Sequence, residues 1–485
     1  MLSLTHPACS QIAACRLQGW TIAKLARMAP ILLLLALPSA AASLRAQILA
    51  AELKREAPYL ARPEGMQAAL RPPDNDEVRG VAVVVDPLCD YLGVALIEEL
   101  LARGVAVATV LSDYMASGLA AANGVEPPLA LLAPRTDGEA WLSGAGPPLA
   151  CLSESDAGIA TAEQLSNLLG CEFRNAVGPS RRHKWLLHET LRERGLPCCN
   201  QALCATDDEL VAFYRAEGTT IIVKPCRGVG SEDVYKCGDE EACAHAFTSL
   251  KATTRYAGGP NDLILAQQFL EGPEYAIDSV SRNGEHKVTA LWRYDKVGFV
   301  YQCTRLVPVD GATRPIIDSL IEALDAAGHA NGPAHSELIV VDDVPTLVEI
   351  NARFHNANVR PLVDRCIEGP NAIALAAAAC VPDGSEWAAT ASTPTLMEDG
   401  LLFHISCLQS GVLSGIDADA LSTLENLPTL VEMEIYESFR EGEEVSATTD
   451  IKTDVGWVLL AGTIEAVERD YAACIDAQAR LLKYR

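Results

Sequence analysis

No C-x-x-C pair occurs among the 16 cysteines of this 485-residue chain, and no Asp or Glu stands before Glu52. The first absence excludes a zinc ribbon. Thiols scattered over so long a chain read as reduced and structural instead of as a disulfide scaffold. Basic excess is missing too: 38 Lys and Arg face 64 Asp and Glu, a formal net charge of −26. That balance repels phosphate backbones and anionic lipid, so nucleic-acid binding and a polybasic membrane anchor are excluded as main functions. Any nucleotide site must then be a local basic pocket helped by a divalent cation. No P-loop occurs, no G-x-G-x-x-G follows the first strand, and no internal repeat is visible.

What is present suffices for two to four domains, since 49% of the residues are hydrophobic. The acid-free leader contains APILLLLALPSAAAS, a short apolar run ending in small residues. It is too short to span a bilayer and fits a targeting presequence over residues 1–50; an amphipathic N-terminal helix or a misplaced start codon is the other reading.

From Val78, VRGVAVVVDPLCDYLGVALIEELLARGVAVATVL alternates strand, turn, amphipathic helix, Gly104 stop and second strand. This is a βαβ opening of a parallel α/β unit. PPLACLSESDAGIATAEQLSNLLG adds a strand and a helix, which sets a first domain over 51–178. The helix expected from Ser180 to Gly195 carries Lys184 in its first turns, where a cation sits badly with the helix dipole unless it is solvated or meets an anion. Strands, an Asn-Gly hairpin and a helix follow to about residue 385, and an alanine-rich helix over 371–380 closes that unit. Short strands, an EGEEV turn and a last helix over 467–482 suggest a small α+β cap over 386–485.

IIVKPCRGVGSEDVYKC, residues 221–237, is an apolar strand ending at Lys224 and running into Gly228, Gly230 and Ser231. Glycines let backbone N–H groups approach an anion and the lysine adds a point charge, an arrangement suited to a polyphosphate. A hairpin turn with a surface lysine fits the same letters. Further on, Glu337 and Glu349 occupy corresponding places on two consecutive strands joined by an acidic turn. A hairpin would bring both carboxylates to one face, with Asn351 at i+2 beside them. Two carboxylates and an amide oxygen are hard ligands of the kind Mg²⁺ takes when phosphates complete its shell; exposed edge-strand charges are the alternative. Arg353, again at i+2, adds a fixed cation for a carboxylate, phosphate or oxyanion.

The order Lys184, strand-Lys224 with a glycine turn, AQQFLEGPEY, paired acids and EINAR resembles the ATP-grasp superfamily of carboxylate–amine ligases, from about Val78 to the C terminus. EGPEYAIDSVSRNGEHKVTALWRYDK and GPAHSELIVVDDVPTLVEINARFH look most like the L-amino acid ligases that make dipeptides. The resemblance implies a multidomain α/β and α+β protein, an ATP-grasp fold over 179–385 preceded by a Rossmann-like domain. It implies that Lys184 and Lys224 hold ATP phosphates under a loop containing Gly228, Gly230 and Ser231. Gln267, Gln268, Phe269 and Leu270 match the hinge that meets adenine, with Glu271 and Glu274 nearby. Glu337 and Glu349 match the ligands of Mg²⁺, for which Mn²⁺ can substitute, with Asn351 as a third. Arg353 matches the arginine that steadies the acyl phosphate.

Two departures stand out: a hinge glutamate is Gln268, and a late loop glycine is Asp233. They motivate an alternative, a nucleotide-binding regulatory protein without turnover. The implied partners are an amino acid or other carboxylate and an amine, with no nucleic acid, no stable membrane span and room for a homodimer. Need for ATP places the protein inside the cell, in a plastid or mitochondrion if the leader is a presequence and in the cytoplasm otherwise.

Overall fold

The computed structural model describes residues 78–87, 89–112, 146–228, 233–253 and 261–485, with Met115 and two short strands, Ala68–Arg71 and Pro134–Arg135. The expected presequence and most of residues 51–77 and 113–145 lie outside the described residues. Among the described residues, no helix is long and apolar enough to cross a membrane.

The N-terminal sheet contains β1 (Ala68–Arg71), β2 (Gly80–Val85), β3 (Val105–Val110), β4 (Pro134–Arg135) and β5 (Pro148–Ser153) in the order β4-β1-β3-β2-β5. GVAVVV has no polar alternation because β2 is an interior strand, parallel to both β3 and β5, and buried on both faces. Helix α1 (Ala95–Ala102) crosses from β2 to β3, and Gly104 at φ +77° ends the crossover as the sequence suggests. Helix α2 (Ile159–Leu169) follows β5 and stops at Gly170 in the left-handed conformation.

A link through the 3₁₀ turn Pro179–Arg181 leads to α3 (Lys184–Glu193). The helix thus begins four residues later than Ser180. Pro179 favours a short turn there, and the His183 side chain caps the true start by accepting from the Leu186 N–H at 3.3 Å. Next comes an antiparallel sheet ordered β6-β9-β7-β8, built from β6 (Gln201–Cys204), β7 (Ile221–Pro225), β8 (Tyr235–Cys237) and β9 (Ile264–Gln268). Its outer face is covered by α4 (Asp207–Glu217) and α5 (Glu240–Ala252), which bury Leu210, Ala246 and Leu250 against Ile221, Val223, Ile264 and Ala266.

The second large sheet starts with β10 (Glu274–Arg282), β11 (Glu285–Val297), β12 (Val300–Leu306), β13 (Gly332–Val341) and β14 (Val344–Asn351). Asn283 and Gly284 both have positive φ, as the two-residue hairpin between β10 and β11 requires. Helix α6 (Arg314–Ala326) packs its apolar stripe, Ile316, Ile317, Leu320 and Leu324, on Leu338, Leu347 and Ile350. Then come α7 (Arg360–Cys366), β15 (Ile367–Glu368) and α8 (Ala372–Ala379), followed by β16 (Thr395–Leu396), β17 (Asp399–Ile405), β18 (Gly411–Ile416), β19 (Leu430–Ile435), β20 (Glu444–Val445), β21 (Gly456–Gly462) and β22 (Leu482–Tyr484).

Three of these join the same sheet, ordered β14-β13-β10-β11-β12-β17-β21-β19. Residues 386–485 therefore extend the eight-stranded sheet, through the β12–β17 ladder, as well as adding their own helices. Likewise α8, expected to close the ATP-binding unit, shares one apolar cluster with the N-terminal sheet, where Leu375 and Ile373 pack with Leu96 and Val84 and with Val280 of β10. Packing fuses what composition separates.

Candidate nucleotide and metal site

A cavity of about 590 Å³ lies between the four-stranded and eight-stranded sheets. Its walls follow from strand alternation. In β7, Ile221 and Val223 face the α4/α5 core while Ile222 and Lys224 face the cavity. In β9, Ile264 and Ala266 take the core side and Gln267 the cavity side. The hinge Gln268–Leu270 and Glu271 complete that wall, and Glu274, Glu337 and Glu349 form the opposite one.

Lys184, the first residue of α3, lines the cavity too, and the Lys184 N–H bonds the Cys226 carbonyl at 2.9 Å, fastening the helix start to the end of β7. Its ammonium meets Glu349 at 2.6 Å and donates to the Gly228 carbonyl at 3.0 Å. The cation at a helix N terminus has found its anion. Burial alone would lower the Lys184 pKa, yet Glu349 raises it above the ordinary value. Burial pushes Glu349 up, but Lys184 and Asn351 outweigh it and bring the carboxyl down to about 2. Lys224, 6% exposed, goes the other way: burial first and then Lys184 push its pKa down. Glu349 and, more weakly, Glu337 offset the crowding of the two ammoniums.

Glu337 and Glu349 are direct register partners on β13 and β14. They sit on adjacent antiparallel strands as the spacing suggests, and β14 is an edge strand, but Glu349 is covered by Lys184 instead of standing in solvent. Paired carboxylate oxygens facing a polyphosphate-sized cavity fit Mg²⁺ by donor hardness. Asn351 does not line that cavity; its amide nitrogen donates to Glu349 Oε1 at 2.9 Å, and it borders a small adjoining space of about 60 Å³ with Lys184, Asp156 and Arg182.

Arg353 is also placed apart. It is 6% exposed, donates from Nε to Asp156 Oδ2 at 2.8 Å and from a terminal nitrogen to the Phe354 carbonyl at 2.7 Å. Asp156 follows β5 of the N-terminal sheet, so the arginine links two units 197 residues apart in sequence. Gly228 lines the cavity, whereas Gly230 and Ser231 lie outside the described residues. The Gln268 side chain accepts from the Asn200 N–H at 3.3 Å. Asp233 has φ +58°, so it holds the left-handed backbone for which a glycine is the easier residue.

Several lining residues had escaped the sequence reading. Lys296 pairs with Glu274 at 2.6 Å and lies over the Tyr294 and Tyr301 rings. Burial, then Glu337 and Glu349, keep Glu274 above the ordinary carboxylate pKa, against Lys296. Lys236 lies 3.9 Å above the Phe269 ring. His188 accepts at Nδ1 from the Cys199 thiol at 3.4 Å and donates from Nε2 to the Val348 carbonyl at 3.2 Å. The alternation of β8 and β11 could have pointed to Lys236 and Lys296; no local signal marks Asp156.

The folded layers and this cleft define an ATP-grasp fold, and residues 217–359 match the ATP-grasp domain family. The chain matches that family over this segment. It is 28% identical over 221 residues to dapdiamide A synthase of Enterobacter agglomerans, a match covering 44% of this chain and 52% of that relative. The chain thus spans about half the length of that curated relative. An L-amino acid ligase from Bacillus licheniformis superposes with a TM-score of 0.60 at 16% identity, over 85% of this chain and all of that one. A carboxyaminoimidazole ribonucleotide synthase from Aspergillus clavatus, solved with ATP, gives 0.58 at 15% identity, over 83% of this chain and 99% of the other.

Proposed function

We propose that the protein is an ATP-dependent carboxylate–amine ligase that joins an amino acid or similar carboxylate to an amine, releasing ADP and phosphate. The observation that carries this reading is the convergence of Lys184 and Lys224 with the paired Glu337 and Glu349 in one cavity between two sheets. The relative's and neighbours' names, dapdiamide synthase and amino acid ligase, support amide formation over other uses of ATP.

A carboxylate is a poor electrophile. One of its oxygens attacks the γ-phosphorus of ATP, the bond to the bridging oxygen breaks, and ADP leaves behind an acyl phosphate. Lys184 and Lys224 offset the charge on the transferring phosphoryl oxygens. Glu337 and Glu349 would hold Mg²⁺, with Asn351 close by; when bound, the ion adds positive charge at the same oxygens. The amine nitrogen then attacks the acyl carbon, phosphate leaves with the bonding pair, and the amine gives its proton to solvent. Arg353, released from Asp156, steadies the acyl phosphate and the oxyanion. The hinge Gln267–Leu270 takes adenine, and the closed sheets keep water from the acyl phosphate.

Mixing the full chain with MgATP and pairs of amino acids, and following ADP, phosphate and amide, tests this. Amide formed in step with ADP is the expected result. Tight ATP binding with no ADP release from any pair would favour the regulatory reading, for which the side chains of Gln268 and Asp233 are the specific motive.

A further inference from the structure

Asp278, His335 and His355 place one carboxylate oxygen and two imidazole nitrogens within 4.8 Å of one another, next to Glu337, whose carboxylate lies 3.7 Å from the far nitrogen of His335. Three elements bring them together. Asp278 on β10 and His335 on β13 are direct register partners, and His335 in turn pairs with Asn351 at the end of β14. His355 lies four residues further along, just past Arg353, and its ring stacks on that of His335 at 4.2 Å between centroids. Asp278 Oδ1 lies 2.7 Å from His335 Nδ1, and Oδ2 lies 3.4 Å from His355 Nδ1.

We propose that Asp278, His335 and His355 form a second metal centre that takes a first-row divalent ion such as Zn²⁺. Two neutral imidazoles and a carboxylate suit that class, whereas Mg²⁺ prefers an all-oxygen set. In a tetrahedral site with bonds near 2.0 Å, neighbouring donors lie about 3.3 Å apart. The His355 Nδ1–Asp278 Oδ2 separation of 3.4 Å is close to that value, while His335 Nδ1 now meets the other oxygen, Oδ1, at 2.7 Å and reaches the same ion by a side-chain rotation.

The surroundings are those of a ligand set. Trp292 Nε1 donates to Asp278 Oδ2 at 2.7 Å, fixing the carboxylate. His335 Nε2 faces the Tyr294 hydroxyl at 3.2 Å and Glu337 Oε1 at 3.7 Å, partners that hold the ring with Nδ1 toward the centre. Beside His355 and Asp278 lies a space of about 30 Å³ reaching Tyr91 and Asn371, large enough for one water as fourth ligand. Metal binding needs no redox partner: the second ring proton of His335 leaves Nδ1 to solvent, and each ring then carries its one hydrogen on Nε2. The ion would pin the segment that follows Arg353 to the central sheet.

Cobalt(II) is the probe. Full-length protein stripped with a chelator should bind one Co²⁺ per chain with visible d–d absorption and no thiolate charge transfer, and Zn²⁺ should displace it. His355→Ala, or His355→Gln if the alanine variant fails to fold, should weaken binding at least ~10-fold. Glu349→Gln should leave the cobalt spectrum unchanged. Zn²⁺ should raise the melting temperature of the wild type but not of the His355 variants. Absent d–d bands, a thiolate charge-transfer spectrum from the cysteines, or equal uptake by the wild type and a folded His355 variant would each overturn the proposal.

Discussion

At the scale of single residues the site is held by mutual compensation, so substitutions separate charge from shape. Glu349 keeps Lys184 in place and, in the function proposed above, would offer oxygens to a divalent ion. Its replacement by glutamine should cut turnover by ~10²-fold or more, since metal charge stabilisation is worth several kcal/mol, while ATP still binds weakly through the two lysines. Calorimetric ATP titration beside an ADP-release assay checks this, and wild-type turnover would remove the metal role. Asp233 offers a second test. Its φ of +58° costs an Asp side chain little and a branched one much more. If the glycine loop covers the phosphates, Asp233→Gly should fold at least as stably and lower the KM for ATP a few-fold, by removing a negative charge there. Asp233→Val should lose about 1 kcal/mol, read from urea midpoints.

Elements explain why part of the molecule was readable in advance. Strand β2 and helix α1 announce themselves by an unbroken valine run, an amphipathic stripe and a stopping glycine, all local properties. The same holds for the two strands that bring Glu337 opposite Glu349. The start of α3 was misplaced because His183, a less common cap than Ser180, makes the capping bond. The continuation of the eight-stranded sheet into β17, β21 and β19 was hidden, because which strands pair over a hundred residues is set by packing and not by local pattern. The joint before α3 is similarly silent: Glu163 on α2 is buried and meets Arg181 at 2.7 Å and Arg182 at 2.6 Å.

That joint should be acid-sensitive. Burial would raise the Glu163 pKa, yet the two arginines hold it at about 2, below the ordinary 4.5. A depressed folded-state pKa gives stability that is complete above pH 4.5 and disappears as the pH falls toward 2. The stake is about 3 kcal/mol. Urea midpoints of the wild type and Glu163→Gln should therefore converge between pH 4.5 and 2, and parallel pH profiles would show that the ion pairs contribute nothing.

At the scale of the whole molecule, one buried contact crosses units. Arg353 arrives from the sheet that carries the acids, and Asp156 from the end of a strand in the N-terminal sheet. If Arg353 acts on the acyl phosphate and the oxyanion, Arg353→Ala should leave ATP affinity within a few-fold and lower the turnover number by ~10²-fold or more. Arg353→Lys should recover only part, because an ammonium cannot make the planar two-point contact. The ion pair complicates a simple reading, since removing Arg353 leaves a largely buried Asp156 without its partner and costs stability for that reason alone. Asp156→Asn separates the two effects. If the pair is only a strut, Asp156→Asn and Arg353→Ala should both lose stability and turnover, and combining them should restore both. If Arg353 serves the reaction, the double variant should regain stability over Arg353→Ala yet stay as slow as it. Melting temperature, ATP affinity and amide formation measured on the same folded preparations decide between a strut and a catalytic arginine.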